Sequence, residues 1–136
     1  MKVTTLALLA VSAWVVAASA TPAPDGAVVY VISPENGATV SSPILVQFGL
    51  AGMGVAPAGT ERENTGHHHL LVDTDLPHLG TPIPSDDNHR HFGGGQTEVT
   101  IELSPGTHTM QLLLGDFSHV PHDPPVISEQ ITVTVE

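Results

Sequence analysis

The sequence predicts an all-β protein, specifically an antiparallel immunoglobulin-like β-sandwich of about seven strands. The first indication is that apolar and polar residues alternate with the period of two expected of a half-buried strand, as in residues 44–50. The second is that turn-forming residues interrupt these segments, in a chain that contains 13 Gly and 12 Pro. The third is that no segment after residue 20 shows the period of an amphipathic helix.

The N-terminal segment has the pattern of a signal peptide. Lys2 precedes an apolar stretch over residues 6–18, and Ala18, Ser19 and Ala20 are the small residues that a signal peptidase requires. The apolar stretch is shorter than the roughly 20 residues that span a bilayer. We therefore expect periplasmic or secreted location, with no membrane attachment after cleavage. The expected organisation is a signal peptide over 1–20, a flexible leader over 21–26 and a single β-sandwich domain over 27–136.

Alternation of apolar and polar residues, together with β-branched residues, predicts the strands. Asn36-Gly37 and Pro105-Gly106 predict turns between strands. Residues 75–88 are rich in Pro, Asp and Ser, and a loop of this length in a small domain is often functional. The predicted strands are 28–32, 44–50, 67–73, 89–92, 96–103, 107–114 and 131–135.

Composition excludes several classes of function. The chain has no Cys, which excludes disulfides, thiolate metal sites and a cysteine nucleophile. The formal net charge is −11, and only Arg62 and Arg90 are fixed cations after residue 20. Nucleic-acid binding requires a basic surface, so no nucleic-acid partner is expected. A negative field instead attracts cations, including metal ions.

The histidines are concentrated in three short segments. His67 and His69 lie two apart in a predicted strand, so both rings project from one face, while His68 points to the other face. His89 and His91 repeat this spacing beside a run of three glycines. A third pair, His119 and His122, occupies a proline-rich loop.

These pairs predict a metal site formed from distant parts of the chain. Neutral imidazole binds copper and zinc without any thiolate, so we expect a copper or zinc ion as the cofactor. A hydrogen-bonded polar surface is the alternative explanation of the same histidines. The candidate ligands are His67, His69, His89, His91, His119 and His122.

Three functions fit this pattern. The preferred one is an exported metal-binding domain that sequesters or transfers copper or zinc. The alternative is a structural or interaction domain without metal, whose partner is another exported protein. The third is a metalloenzyme with a histidine-ligated ion. No nucleophile motif or facing carboxylate pair occurs, so we predict no catalytic residue and consider an enzyme the less favoured assignment.

Several longer motifs extend over nearly all of the chain from about residue 28 to 135. Together they resemble the bacterial exported domain-of-unknown-function family 4399. The resemblance implies a small exported β domain and implies no particular activity. The motifs are Gly52–Gly59, Gly66–Leu71, Pro82–Asp86, His91–Thr97, Leu112–Asp116 and His119–Pro125.

Overall fold

The computed structural model describes residues 19–136, so most of the predicted signal peptide lies outside the described residues. No helix occurs in this range, and accordingly none is long and apolar enough to cross a membrane. The strands are β1 (Val28–Ser33), β2 (Thr39–Val40), β3 (Ile44–Ala51), β4 (Gly54–Val55), β5 (Thr65–Val72), β6 (His89–His91), β7 (Glu98–Ile101), β8 (Gly106–Gly115) and β9 (Ile131–Val135).

The strands form two sheets. The smaller sheet has the order β1-β3-β7 and is antiparallel. The larger sheet has the order β2-β9-β8-β5-β4, and β6 also pairs with β5. The predicted all-β sandwich is confirmed. The larger sheet is mixed rather than purely antiparallel, because the two-residue strands β2 and β4 pair in parallel with β9 and β5. Strands of two residues are too short to show alternation, so the sequence did not predict them.

The core lies between the two sheets and is built by alternate residues of each strand. In β3 the buried residues are Ile44, Val46 and Phe48, and in β8 Met110, Leu112 and Leu114. Period two is what a strand with one face on a core requires. In β5 the residues that point into this core are His68, Leu70 and Val72, and the His68 ring centroid lies 5.1 Å from that of Phe48.

A second, smaller apolar cluster covers the outer face of the larger sheet. Leu71 of β5 and Leu113 of β8 pack there against Ile83, which belongs to the loop between β5 and β6. Burial of Ile83 to 5 % exposure therefore fixes that loop over the sheet. His67 and His69 project from the same face as Leu71, so the loop also encloses their rings.

Candidate metal centre

Strand β5 is covered on both edges and both faces where its histidines lie. His67 is 0 % exposed and His69 is 1 % exposed. On one edge β8 pairs with both of them, placing His67 opposite Gly115. On the other edge β6 pairs with β5 in a register that sets His91 opposite His69. Directly paired residues in a sheet have neighbouring side chains, so the His91 ring joins the two rings of β5.

Four histidine rings meet at this point of the outer face. Nε2 of His67 lies 3.0 Å from Nε2 of His69, 3.2 Å from Nε2 of His91 and 3.2 Å from Nδ1 of His119. One ring nitrogen from each of the four residues lies within 4.8 Å of the other three. We call these residues the four-histidine cluster. It is a group that can hold a metal ion.

Hydrogen bonding alone does not satisfy the contacts around His67 Nε2. A ring nitrogen carries either one proton or one lone pair, so it makes one good hydrogen bond along one direction. Here three other ring nitrogens lie within 3.2 Å of it. Nitrogens on one zinc ion, at about 2.0–2.1 Å from the metal, are about 3.3 Å apart in a tetrahedron. The observed spacing thus fits the donor set of a bound cation.

His119 reaches the cluster through an unusual backbone conformation. Its φ angle is 69°, in the left-handed region that a residue with a side chain seldom adopts. The buried carboxylate of Asp116 maintains the turn, because Oδ1 accepts hydrogen bonds from the backbone N–H groups of Ser118 and Val120 at 2.9 and 3.0 Å. The His119 carbonyl accepts a further bond from the N–H of Ile83 at 2.8 Å. Strain of this kind is concentrated at functional sites in proteins.

Burial and mutual repulsion lower the pKa of three cluster histidines, His67, His69 and His91. Burial, then the nearby His91 and His119, lower the pKa of His67 to about 4. Burial, then His67 and His91, lower the pKa of His69 to about 2. Burial, then His119, also lower the pKa of His91. Metal binding requires the neutral form of imidazole, so at neutral pH His67, His69 and His91 are in the form that binds.

A carboxylate lies close to the cluster. Burial by itself would raise the pKa of Asp116, but hydrogen bonds from Thr21, Ser118 and Val120 outweigh it and lower that pKa. Asp116 is therefore ionised at neutral pH, and its charge acts on His67 in the direction that favours a positive charge there. A negative charge behind the ligands also favours a cation between them.

Close packing sets the orientation of the two β5 rings. Gly115 leaves the space for His69, since a Cβ atom at that position would lie 2.9 Å from Nε2 of His69. Within residues 19–136, no hydrogen-bond partner lies at Nδ1 of His67 or His69. Metal-bound histidines usually donate their second N–H to an acceptor that fixes the ring. For His69, the close approach of Gly115 limits where the ring can lie.

Two of the six candidate ligands lie apart from the cluster. His89 pairs with Leu71 of β5 and precedes His91 by two residues in β6. Its Nδ1 lies 2.9 Å from Oδ1 of Asp86. His122 is 2 % exposed, and its Nε2 donates to the carbonyl oxygen of Thr65 at 3.1 Å.

The remaining polar residues near these segments have local partners. Asp73 directly follows β5 with a φ angle of 52°, and its carboxylate contacts Nδ1 of His108 and the N–H of Thr109 instead of the cluster. His78 lies in the long loop, where its Nδ1 accepts from the N–H of Gly80 at 3.2 Å. Thr21 belongs to no sequence motif, so its bond to Asp116 could not be anticipated.

Comparison with known proteins identifies the chain at the level of its family. Residues 46–136 match the family described as Domain of unknown function (DUF4399). This range contains all four cluster histidines. Neither a curated protein nor a solved structure matches the chain. Because the match extends over more than half of the sequence, the chain belongs to the family described as Domain of unknown function (DUF4399).

Proposed function

We propose that this protein is an exported metal-binding domain in which the four-histidine cluster ligates one copper or zinc ion for sequestration or transfer. The observation that carries the proposal is the set of three ring nitrogens within 3.2 Å of His67 Nε2. A purely structural hydrogen-bond network can use only one of these three contacts at the fully buried His67 Nε2, and nitrogens brought this close without a shared proton are costly. A cation bound by the same nitrogens removes that cost.

The chemistry of the donors supports copper and zinc equally. Four imidazole nitrogens without thiolate or carboxylate suit both ions. A thioether ligand would have favoured copper, but Met53 packs against the sandwich core. His89 and His122 are left out of the proposed ligand set, since each has a partner of its own elsewhere.

Sequestration or transfer suits the exposure of the cluster. His67 and His69 are fully buried, whereas His91 and His119 are only partly buried. The ion is therefore shielded by the sheet on one side and accessible from the loop side. Export is part of the proposal and rests on the signal-peptide pattern of residues 1–20. N-terminal sequencing of the protein from its own cells tests it, and a chain that retains Lys2 would contradict cleavage.

Metal uptake by metal-stripped protein tests the function directly. We expect one copper or zinc ion per chain at micromolar protein. His67→Ala should weaken binding by more than the roughly 10- to 100-fold that loss of a residue hydrogen-bonded to a metal ligand costs. His78→Ala is the matched control, because this histidine lies in an exposed loop and should leave uptake unchanged. Less than one ion per chain, or equal loss in both variants, would reject the proposal.

A further inference from the structure

A pocket opens beside the four-histidine cluster on the side of the long loop. Its volume is about 190 Å³. Three of the four cluster rings line it, and only His67 lies behind the others. The lining residues are His69, Pro82, Ile83, Ser85, His91 and His119. A molecule in this pocket would therefore be in direct contact with the partly buried side of the proposed ion site.

The walls of the pocket indicate what it can accept. Pro82 and Ile83 are apolar, and Ser85 supplies the only hydroxyl in the lining. No Lys or Arg lines the pocket, and the whole chain carries a formal charge of −11. An anion would thus meet no positive side chain there and would be repelled at longer range by the net charge of the chain, so that only the ion itself would attract it. An uncharged molecule meets neither obstacle.

The size of the pocket limits the molecule further. A volume of about 190 Å³ is enough for several water molecules. One five-membered aromatic ring, or the end of a thioether side chain, fits within this space. Apart from the three histidines, the walls are apolar with a single hydroxyl. Such walls suit this group, because most of its surface is apolar and only the donor atom needs a polar partner.

We propose that this pocket admits an uncharged monodentate donor, an imidazole nitrogen or a thioether sulfur, and that the ion leaves the protein by exchange onto it. The inference rests on the proposed function. The incoming lone pair forms a bond to the ion as the bond from His91 or His119 breaks, and the remaining imidazole bonds then break one by one as further donors of the same kind bond to the ion. A neutral donor replaces a neutral donor, so no proton or electron is transferred. The donor comes from a side chain of an acceptor protein or from a free small molecule.

Release kinetics separate this exchange from simple dissociation. The zinc-loaded protein is mixed with an excess of a chromogenic chelator, and the release rate is measured with increasing imidazole, with a blocked tripeptide that has a central histidine, or with formate. Because the chelator takes all the metal in each case, the added donor changes only the rate. We expect acceleration by imidazole of about tenfold or more. Formate should have little effect.

A bulky residue placed at the rim of the pocket tests whether the donor must enter it. Ser85 is exposed, so Ser85→Trp fills the pocket without disturbing the core. Leu76→Trp is the control, since Leu76 is 41 % exposed in the same loop and does not line the pocket. Ser85→Trp should retain zinc affinity and lose the acceleration by imidazole. Leu76→Trp should behave as the unchanged protein does.

The outcomes distinguish this inference from the proposed function. Acceleration by both imidazole and the tripeptide supports a side-chain donor, and acceleration by imidazole alone supports a small free donor. If zinc binds but neither imidazole nor the tripeptide changes its release, the exchange proposal is overturned and the metal site stands. The same conclusion follows if formate is as effective as imidazole. An equal response of Ser85→Trp and Leu76→Trp also overturns it. Failure to bind zinc or copper at all overturns both proposals.

Discussion

Thr21 donates a hydrogen bond from Oγ1 to Oδ2 of Asp116 over 2.7 Å, although the two residues are 95 positions apart in the chain. The backbone N–H of Asp123 donates in turn to the Thr21 carbonyl at 3.0 Å. The other carboxylate oxygen of Asp116 holds the turn that presents His119 to the cluster. The segment that precedes the first long strand is thereby linked to the candidate metal centre through one buried carboxylate.

Removal of the Asp116 carboxylate should leave His119 less firmly positioned at the cluster. In Asp116→Ala, the N–H groups of Ser118 and Val120 lose a charged acceptor, and such bonds contribute about 1.5–3 kcal/mol each. We expect a loss of unfolding free energy of about 3 kcal/mol or more, and metal affinity at least about tenfold lower. Urea unfolding and competition titration measure the two effects.

Thr21→Val is the graded comparison for Asp116→Ala. It removes one hydrogen bond and should cost about 1 kcal/mol, with a smaller loss of metal affinity. Metal affinity that stays unchanged in Asp116→Ala would show that the turn at residues 116–120 does not position His119 for binding.

Gly115→Ala tests the space that the sheet leaves for His69. The added Cβ would lie 2.9 Å from Nε2 of His69, so the ring must move away from its position in the cluster. We expect metal affinity to fall by about tenfold or more, on the scale of a disturbed ligand orientation. Gly54→Ala is the control, because its nearest neighbour is Cγ2 of Thr65 at 3.7 Å, an ordinary contact. Equal affinities of the two variants would be evidence against ring placement by packing.

The metal-free protein should lose stability in mild acid. The folded-state pKa values are about 4 for His67 and about 2 for His69, against an ordinary value of 6.5 for histidine. Below pH 6.5 the unfolded chain therefore binds protons that the folded chain does not, and the unfolding free energy falls as the pH decreases towards 4. Urea unfolding between pH 8 and pH 5 measures this dependence.

The double variant His67→Gln/His69→Gln checks the origin of that dependence. It should show a shallower loss of stability in acid, with a remainder from His68, whose pKa burial also lowers. An identical pH slope in the two proteins would mean that the cluster histidines are not the groups that titrate.

His108 should have the opposite pH dependence. Its Nδ1 lies 2.6 Å from Oδ2 of Asp73, and this hydrogen bond, followed by that to the Ser104 carbonyl, raises the pKa of His108 above 6.5. The stabilisation is complete below pH 6.5 and is lost as the pH rises through the raised folded-state pKa. The stability difference between the unchanged protein and His108→Gln should therefore be larger at pH 5.5 than at pH 8.5. A difference that grows with pH would contradict the assignment of this pair.

The alternation of apolar and polar residues was enough to predict the fold and two of the four cluster histidines. The period of two placed His67 and His69 on one face and His68 in the core, because a strand leaves no other arrangement. It could not decide between His89 and His91. That choice depends on the register of β6 against β5, which is set by the packing of both strands rather than by either sequence alone.

The sequence could not show which of the two loop histidines joins the cluster. His119 and His122 lie three residues apart in a segment without periodicity. The left-handed conformation of His119 and the bonds of Asp116 turn one ring towards the cluster, while the ring of His122 bonds to Thr65. Neither feature has a local sequence signature, since the contacts join segments that are far apart in the chain.

X-ray absorption spectroscopy of the protein loaded with one equivalent of zinc or copper identifies the ligands of the ion. We expect nitrogen donors nearest the ion with the outer scattering of imidazole rings, and a decrease of that imidazole scattering in His119→Ala but not in His122→Ala. A first shell dominated by carboxylate oxygens, or a spectrum that changes in His122→Ala and not in His119→Ala, would contradict it.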